Sequence, residues 1–421
     1  MHILFVLHSY SRQPANSGVH TYVLNITRSI SDLGHCVSVL SACDGMPMAE
    51  TLRKGGAEAG TVQVIRRPAG NRGFFVKALR RLGAGQAARW LAFISSELCL
   101  SHALRRLVGR MQVDAVVFIE TFLLEGWLYS RRAAVPCIWS LLGGHYARMR
   151  FSPERSAEDL RFQEARSREM ARRIPFLYGP SRTLASQAER DFDLPDGTVR
   201  ALPCPLDESF LKASKHTGSG ERTGVLFTGR FSPQKGLETL VAAAPAVLSR
   251  HPGTVFRLRG TYGRGAAAVA YEREIIAAIQ SAGLTDRFEF VPRCTTEQMV
   301  DLYQHAAVCV FPTRWESFGY TAAEAMACGT PLVSTTAGAI PELVTPGRTG
   351  WLVEPDNPAQ LAAAVNQVLD NPAAAAAIAA AAREEVRERY RPGVAGRQAL
   401  EYFQHCAAKW HQERGAGGGR Q

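Results

Sequence analysis

The stretch Thr313-Arg-Trp-Glu316-Ser-Phe-Gly319-Tyr-Thr-Ala-Ala-Glu324-Ala-Met-Ala-Cys-Gly329-Thr-Pro-Leu-Val333 decides the fold. The run before it, 307–311, is apolar and strand-like, and Pro312 bars further strand pairing. A helix is expected from Tyr320 to Cys328, stopped by Gly329 with Pro331 just beyond. Another short buried strand starts at Pro331. In an open α/β sheet, the loops after strands and the N-termini of the following helices face the ligand crevice. Glu316 falls in such a loop and Glu324 eight residues on, in the first turns of the helix. Both carboxylates are therefore expected to look into one cleft, beside a positive helix end suited to phosphate. The same spacing also fits a capping glutamate and a solvated loop glutamate.

Outward from this stretch, the chain alternates strand-like and helical patterns. In the C-terminal half, strands are expected at 224–228, 255–258 and 288–291, with helices at 236–250, 269–281 and 297–304. Helices continue to about 389, and a last helical piece is expected at 397–412, beyond Pro392-Gly393. The N-terminal half has apolar runs at 3–7, 37–40, 62–65, 115–119, 136–141 and 176–178, and a helical pattern at 19–33 ending at Gly34. A charged, exposed helix is expected within 148–173. Alternation of this kind argues for parallel sheets covered on both faces. The pattern breaks at Pro203-Cys204-Pro205, and the polar stretch 212–222 reads as a linker between domains.

With 421 residues the chain exceeds one ordinary core, and two domains are expected. The division is 1–210, 211–395, a helix at 396–414 returning toward the first domain, and a disordered tail at 415–421. A composition of 46% hydrophobic and 21% charged residues is that of a soluble globular protein. No run approaches a membrane-spanning length, and the N-terminus reads as a first buried strand instead of a leader. The nine cysteines are scattered without C-x-x-C spacing, which suggests reduced, mainly buried thiols in a cytoplasmic protein. No cluster has metal-ligand spacing, so no metal is expected.

The net charge of +11 is unevenly placed: 66–110 holds ten Lys/Arg against one acid, Glu97. Aromatic and aliphatic residues alternate with that charge, as in basic amphipathic helices lying on anionic lipid. A solvated basic surface helix gives the same pattern. Nucleic acid is not expected, because no binding module accompanies the charge.

A second constellation is Gly229-Arg230-Phe-Ser-Pro-Gln-Lys235-Gly236, at the end of a strand and leading into a helix. Arg as a planar fork and Lys as a point charge can grip a diphosphate there, although an ordinary solvated basic turn looks alike.

Together these segments closely resemble glycosyltransferase family 4, the retaining nucleotide-sugar enzymes of the GT-B fold. The resemblance runs through Val225-Leu-Phe-Thr-Gly-Arg230, Phe288-Glu-Phe-Val-Pro-Arg293, Phe311-Pro-Thr-Arg-Trp-Glu316, Glu324 to Val333, Ala337-Gly-Ala-Ile-Pro-Glu342 and Thr349-Gly-Trp-Leu-Val353. It spans essentially the whole chain and is strongest from 225 to 355. It implies two Rossmann-like α/β domains facing a deep cleft. It also implies transfer of a sugar from a nucleoside-diphosphate sugar to a glycan or lipid-linked acceptor, without a metal or other cofactor.

By the same resemblance, Arg230 and Lys235 would bind the diphosphate and Glu324 the ribose hydroxyls. Glu316 would hold hydroxyls of the transferred sugar, close to the backbone of Phe318 and Gly319. The segment ending at Arg293 would lie near the base, and Gly18 would close onto the phosphates from the other domain. The family's cleft histidine is best matched by His145, farther from its strand than usual. The first loop offers one glycine, Gly18, where family members often have two. Cys204-Pro205 stands where Asn-Gly is usual, and Arg259-Gly260-Thr-Tyr-Gly263 departs from the common Gly-x-Gly. A nucleotide-sugar epimerase of the same fold and a non-catalytic scaffold at a membrane are the competing readings. The resemblance also makes cell-surface polysaccharide or glycolipid synthesis the expected setting, and the clustered charge of 66–110 with its aromatic residues suggests peripheral attachment to the inner membrane face.

Overall fold

The computed structural model of the chain describes residues 1–7, 18–43, 62–68, 101–102, 104–119, 129–130, 133–143, 151, 157–213, 222–261 and 266–417. Among them are two parallel sheets. The N-terminal lobe orders its seven strands β3-β2-β1-β4-β5-β6-β7. These are β1 (His2–Leu7), β2 (Cys36–Cys43), β3 (Val62–Pro68), β4 (Ala115–Ile119), β5 (Cys137–Ser140), β6 (Phe176–Gly179) and β7 (Val199–Ala201). All six residues of β1 are buried, and the strand pairs in parallel on both sides. That double burial is why the strand reads as one continuous apolar run instead of an alternation. Its helices include α1 (Gly18–Asp32), α2 (Ala157–Arg173) and α3 (Arg182–Asp191).

After the short helix α4 (Glu208–Leu211), the C-terminal lobe begins at β8 (Thr223–Arg230). There follow α5 (Leu237–Arg250), β9 (Phe256–Thr261), α6 (Ala266–Ser281), β10 (Phe288–Val291), α7 (Thr296–His305) and β11 (Ala306–Phe311). The lobe ends with α8 (Tyr320–Ala327), β12 (Leu332–Thr335), α9 (Ile340–Leu343), β13 (Trp351–Val353), α10 (Pro358–Asp370) and α11 (Pro372–Tyr390). The strand order is β10-β9-β8-β11-β12-β13, so the winding reverses between β8 and β11. A reversal of this kind opens a crevice at the carboxyl ends of the two strands. Both quoted segments, 229–236 and 313–324, leave the sheet at that crevice.

Helix α12 (Pro392–Gly417) returns to the N-terminal lobe and packs along α1. Gly396 lies against Ser29, where an added Cβ would meet the Ser29 Cβ at 2.8 Å. Phe403 packs edge-on to Phe5 at 6.3 Å and against Tyr178 at 5.6 Å. The helix starts ahead of the expected 397, because proline is compatible with a first helical turn, and it runs to Gly417, so 415–417 belong to it and not to the expected tail. Strands β7 and β13 were not expected; three residues each are too few to show a period.

The expected linker at 212–222 is bounded by α4 and β8, with 214–221 outside the described residues. Of the basic segment 66–110, residues 69–100 and 103 lie outside them too. Among the described residues no helix is long and apolar enough to cross a membrane. Seven described cysteines are free thiols, five of them buried.

Candidate active site

The crevice is built from two loops fastened to each other. A 3-10 turn at Pro233–Lys235 follows β8, and the segment 313–316 follows β11. Arg314 N donates to Gln234 O at 2.8 Å, and Gln234 Nε2 donates to Trp315 O at 2.8 Å. Thr313 Oγ1 reaches Gln234 O at 3.1 Å and Glu316 Oε1 at 3.3 Å. The Arg314 side chain adds three contacts: Pro233 O and Glu238 at 2.5 Å each, and Asp356 at 2.7 Å. Glu238 in turn accepts from the Tyr271 hydroxyl. Backbone strands can end independently, but these bonds make the two loops one rigid piece.

Lys235 Nζ donates to Glu316 Oε1 across that weld, with both side chains mostly buried at 15% and 13% exposure. Each charge compensates the other, so neither stands buried and unpaired. Arg230 ends β8 on the exposed side, its guanidinium 3.2 Å from Gln234 Oε1. Gly319 is the N-cap of α8, where the helix presents its unpaired N–H groups.

Glu324 lies on α8 and accepts from the Tyr303 hydroxyl at 3.1 Å, while Tyr303 bonds Thr228 of β8 at 2.7 Å. Burial pushes its carboxyl up to about 8; the Tyr303 bond opposes that rise, nearby Asp207 adds to it and Arg259 offsets part of it. Glu316 and Glu324 thus have opposite electrostatic settings: one is paired with a cation, the other desolvated against a phenol.

The remaining expected residues divide. Gly18 begins α1 and faces Tyr320 across the cleft, an added Cβ coming 3.7 Å from that ring. The Phe318 side chain does not face the crevice. It is buried edge-on between Tyr320 at 4.9 Å and Tyr390 at 5.1 Å, leaving only its backbone for a ligand. Arg293 is exposed just past β10. His145 lies outside the described residues. Gln234, Thr313 and Arg314 were not singled out in the sequence, because their roles depend on contacts between loops some 80 residues apart, and Tyr303 was not because its partners Thr228 and Glu324 lie on a separate strand and helix.

The family described as glycosyl transferases group 1 matches residues 211–385, and the glycosyl transferase 4-like domain matches 17–205. The two matches meet at the crossover between the lobes and together take in most of the chain. The chain belongs to the group 1 glycosyltransferases. Among curated relatives of this glycosyltransferase is the D-inositol 3-phosphate glycosyltransferase of Acidothermus cellulolyticus, 33% identical over 48% of this chain and 44% of that protein. Another is the glycogen synthase of Mycobacterium tuberculosis, 35% identical over 42% of this chain and 40% of that protein. The match therefore spans less than half the length of either relative. Of solved structures, sucrose-phosphate synthase from Thermosynechococcus elongatus superposes with a TM-score of 0.72 at 21% identity, covering 97% of this chain and 99% of that one. HepE of Anabaena, solved with UDP and glucose, gives 0.67 at 19% identity, covering 96% and 99%. At such identities the likeness carries the fold, which is the expected GT-B architecture.

Proposed function

We propose that this protein transfers a glycosyl group from a nucleoside-diphosphate sugar to a hydroxyl of a glycan or lipid-linked acceptor, with retention of configuration. The observation that carries the reading is the Lys235–Glu316 pair, held between two fastened loops at the β8/β11 switch point beside the N-terminus of α8. A diphosphate arriving there would draw Lys235 and Arg230 to its oxygens. Glu316, released from the lysine, would accept from hydroxyls of the sugar. Glu324, with its raised pKa, stands one helix turn deeper, where ribose hydroxyls would donate to it.

In the reaction, the bond between the anomeric carbon and the phosphate oxygen breaks, and one to the acceptor oxygen forms on the same face. The acceptor proton leaves with the departing diphosphate. Negative charge grows on that diphosphate, and fixed cations with a helix N-terminus stabilise it without reorganising. In this reading the leaving charge is carried by the protein's own groups, so no metal is needed. HepE, solved with UDP-glucose, supports a nucleotide-sugar donor here. The basic stretch 66–110 supports an acceptor presented at an anionic membrane, on the inner face of the cell boundary.

The test is a turnover screen of the purified protein against UDP-, GDP- and ADP-sugars with and without EDTA, using glycan and lipid-linked acceptors. Acceptor-dependent release of one nucleoside diphosphate, unchanged by EDTA, is expected. Consumption of the donor without any acceptor would point to an epimerase instead. Donor binding without turnover would point to a scaffold. Vesicle flotation at low and high salt checks the membrane part, which fails if nothing floats at low salt.

A further inference from the structure

Glu342 stands on α9 in the C-terminal lobe, yet its carboxylate is bonded to the N-terminal lobe. Its Oε2 accepts from Arg182 N at 3.0 Å, and its Oε1 accepts from Thr183 N and Thr183 Oγ1, both at 2.6 Å. These are the first residues of α3, whose own N-cap, Ser181, accepts from Leu184 N at 3.1 Å. One lobe therefore supplies part of the cap of a helix in the other. Burial alone would raise the Glu342 carboxyl; the bonds from Thr183 and Arg182 hold it below the ordinary range.

The turn that carries Glu342 also holds Glu316. Ala339 N donates to Glu316 O at 2.9 Å. A second contact between the lobes flanks the same residue. Just after β5, Gly143 fits so closely that a Cβ there would come 2.5 Å from the Trp315 ring and 2.6 Å from the Ser317 Cβ. Trp315 itself is buried among N-terminal residues such as Leu141 and Trp139. The N-terminal lobe thus presses on both neighbours of Glu316, while Glu342 ties down the turn behind it.

We propose that Glu342 is a positioning residue: its cap on α3 latches the lobes together and, with the seat at Gly143, holds Glu316 in place only when the lobes are closed. The importance given to Glu316 rests on the transferase reading; the latch itself does not. Each latch bond is exchanged for one to water on opening, so ligand binding can shift the balance between open and closed forms.

The experiment uses the whole protein. In the nucleotide-free state, Glu342→Ala and Gly143→Ala are expected to raise the radius of gyration in small-angle scattering. They should also expose Trp315 to acrylamide, read as the difference from matched Trp315→Phe variants. Far-UV circular dichroism checks that each variant is folded, and Glu342→Ala decides alone if Gly143→Ala is not. Glu342→Gln keeps one acceptor oxygen and is expected to fall between the two states. With the donor identified by the screen, Glu342→Ala is expected to lower kcat by roughly tenfold or more, while KM for the donor shifts by less than about twofold. A cap that merely stabilises would lower Tm and leave kcat alone. Scattering and quenching identical to the unaltered protein would overturn the latch, and opened lobes with unchanged kcat would overturn the positioning role. Should no sugar be transferred at all, the transferase reading fails, while scattering and quenching still decide the latch.

Discussion

At the residue scale the decisive object is a pair of opposite charges, Lys235 and Glu316, held between two fastened loops. Removing one member leaves the other mostly buried without its counter-charge. Glu316→Ala and Lys235→Ala should therefore each lose about 3 kcal/mol of stability. The double variant should lose less than the two together, a non-additivity measurable by denaturant unfolding. Turnover should fall about a hundredfold or more in Glu316→Gln, which keeps the shape of the side chain.

Glu324 makes a separate statement about pH. Its carboxyl is raised by burial to about 8, so from the unfolded value near 4.5 up to about 8 the folded protein holds a proton that the unfolded chain has lost. Stability contributed by this group is present at low pH and declines as pH rises through that window. The Tm of the ligand-free protein should fall between pH 5 and 8.5 by more than that of Glu324→Gln. If ribose hydroxyls donate to this carboxylate, they favour its ionised form. Calorimetry in buffers of different ionisation enthalpy should then show a proton released when the nucleoside diphosphate binds near pH 7.

At the scale of elements, the turn between β12 and α9 is tightly determined. Gly338 has φ +60°, and a Cβ there would lie 2.2 Å from Glu316 O. Gly347 has φ +72° with open space around it. Gly347→Ala should therefore show only the cost of a left-handed alanine, about 1 kcal/mol. Gly338→Ala should cost clearly more and also reduce turnover, because the atom displaced belongs to Glu316. Equal losses in the two variants would contradict this account.

The contrast explains what could be read from the chain alone. The places of Glu316, in the loop after β11, and Glu324, on α8, were legible because one continuous segment carries the strand, the loop and the helix. Glu342 was visible within a motif, but its role was not, since its partner Thr183 lies 159 residues away in sequence. The burial of the Phe318 ring was not legible for a similar reason. Nothing local announces that Tyr390, on α11, will cover it.

At the scale of the molecule, the two lobes are bound by the crossover as well as by the cleft. Asn25 of α1 donates to Pro205 O at 3.0 Å, and Leu206 N donates to Tyr390 O at 3.0 Å. Helix α12 then covers α1 and the β1–β6 region with Phe403. Replacing this fully buried ring by alanine should cost about 3–5 kcal/mol. The loss should be local: hydrogen exchange is expected to quicken in β1 and α1 while β8 and β11 keep their protection.

The returning helix also sets an order of events at the ribosome. The N-terminal sheet is complete in sequence by Ala201, yet the segment that covers α1 emerges only after the whole C-terminal lobe has been made. Until then the seam around Phe5 and Tyr178 stands open on a nascent chain, an adhesive surface for chaperones or for neighbouring copies. The lobe synthesised first is thus finished last.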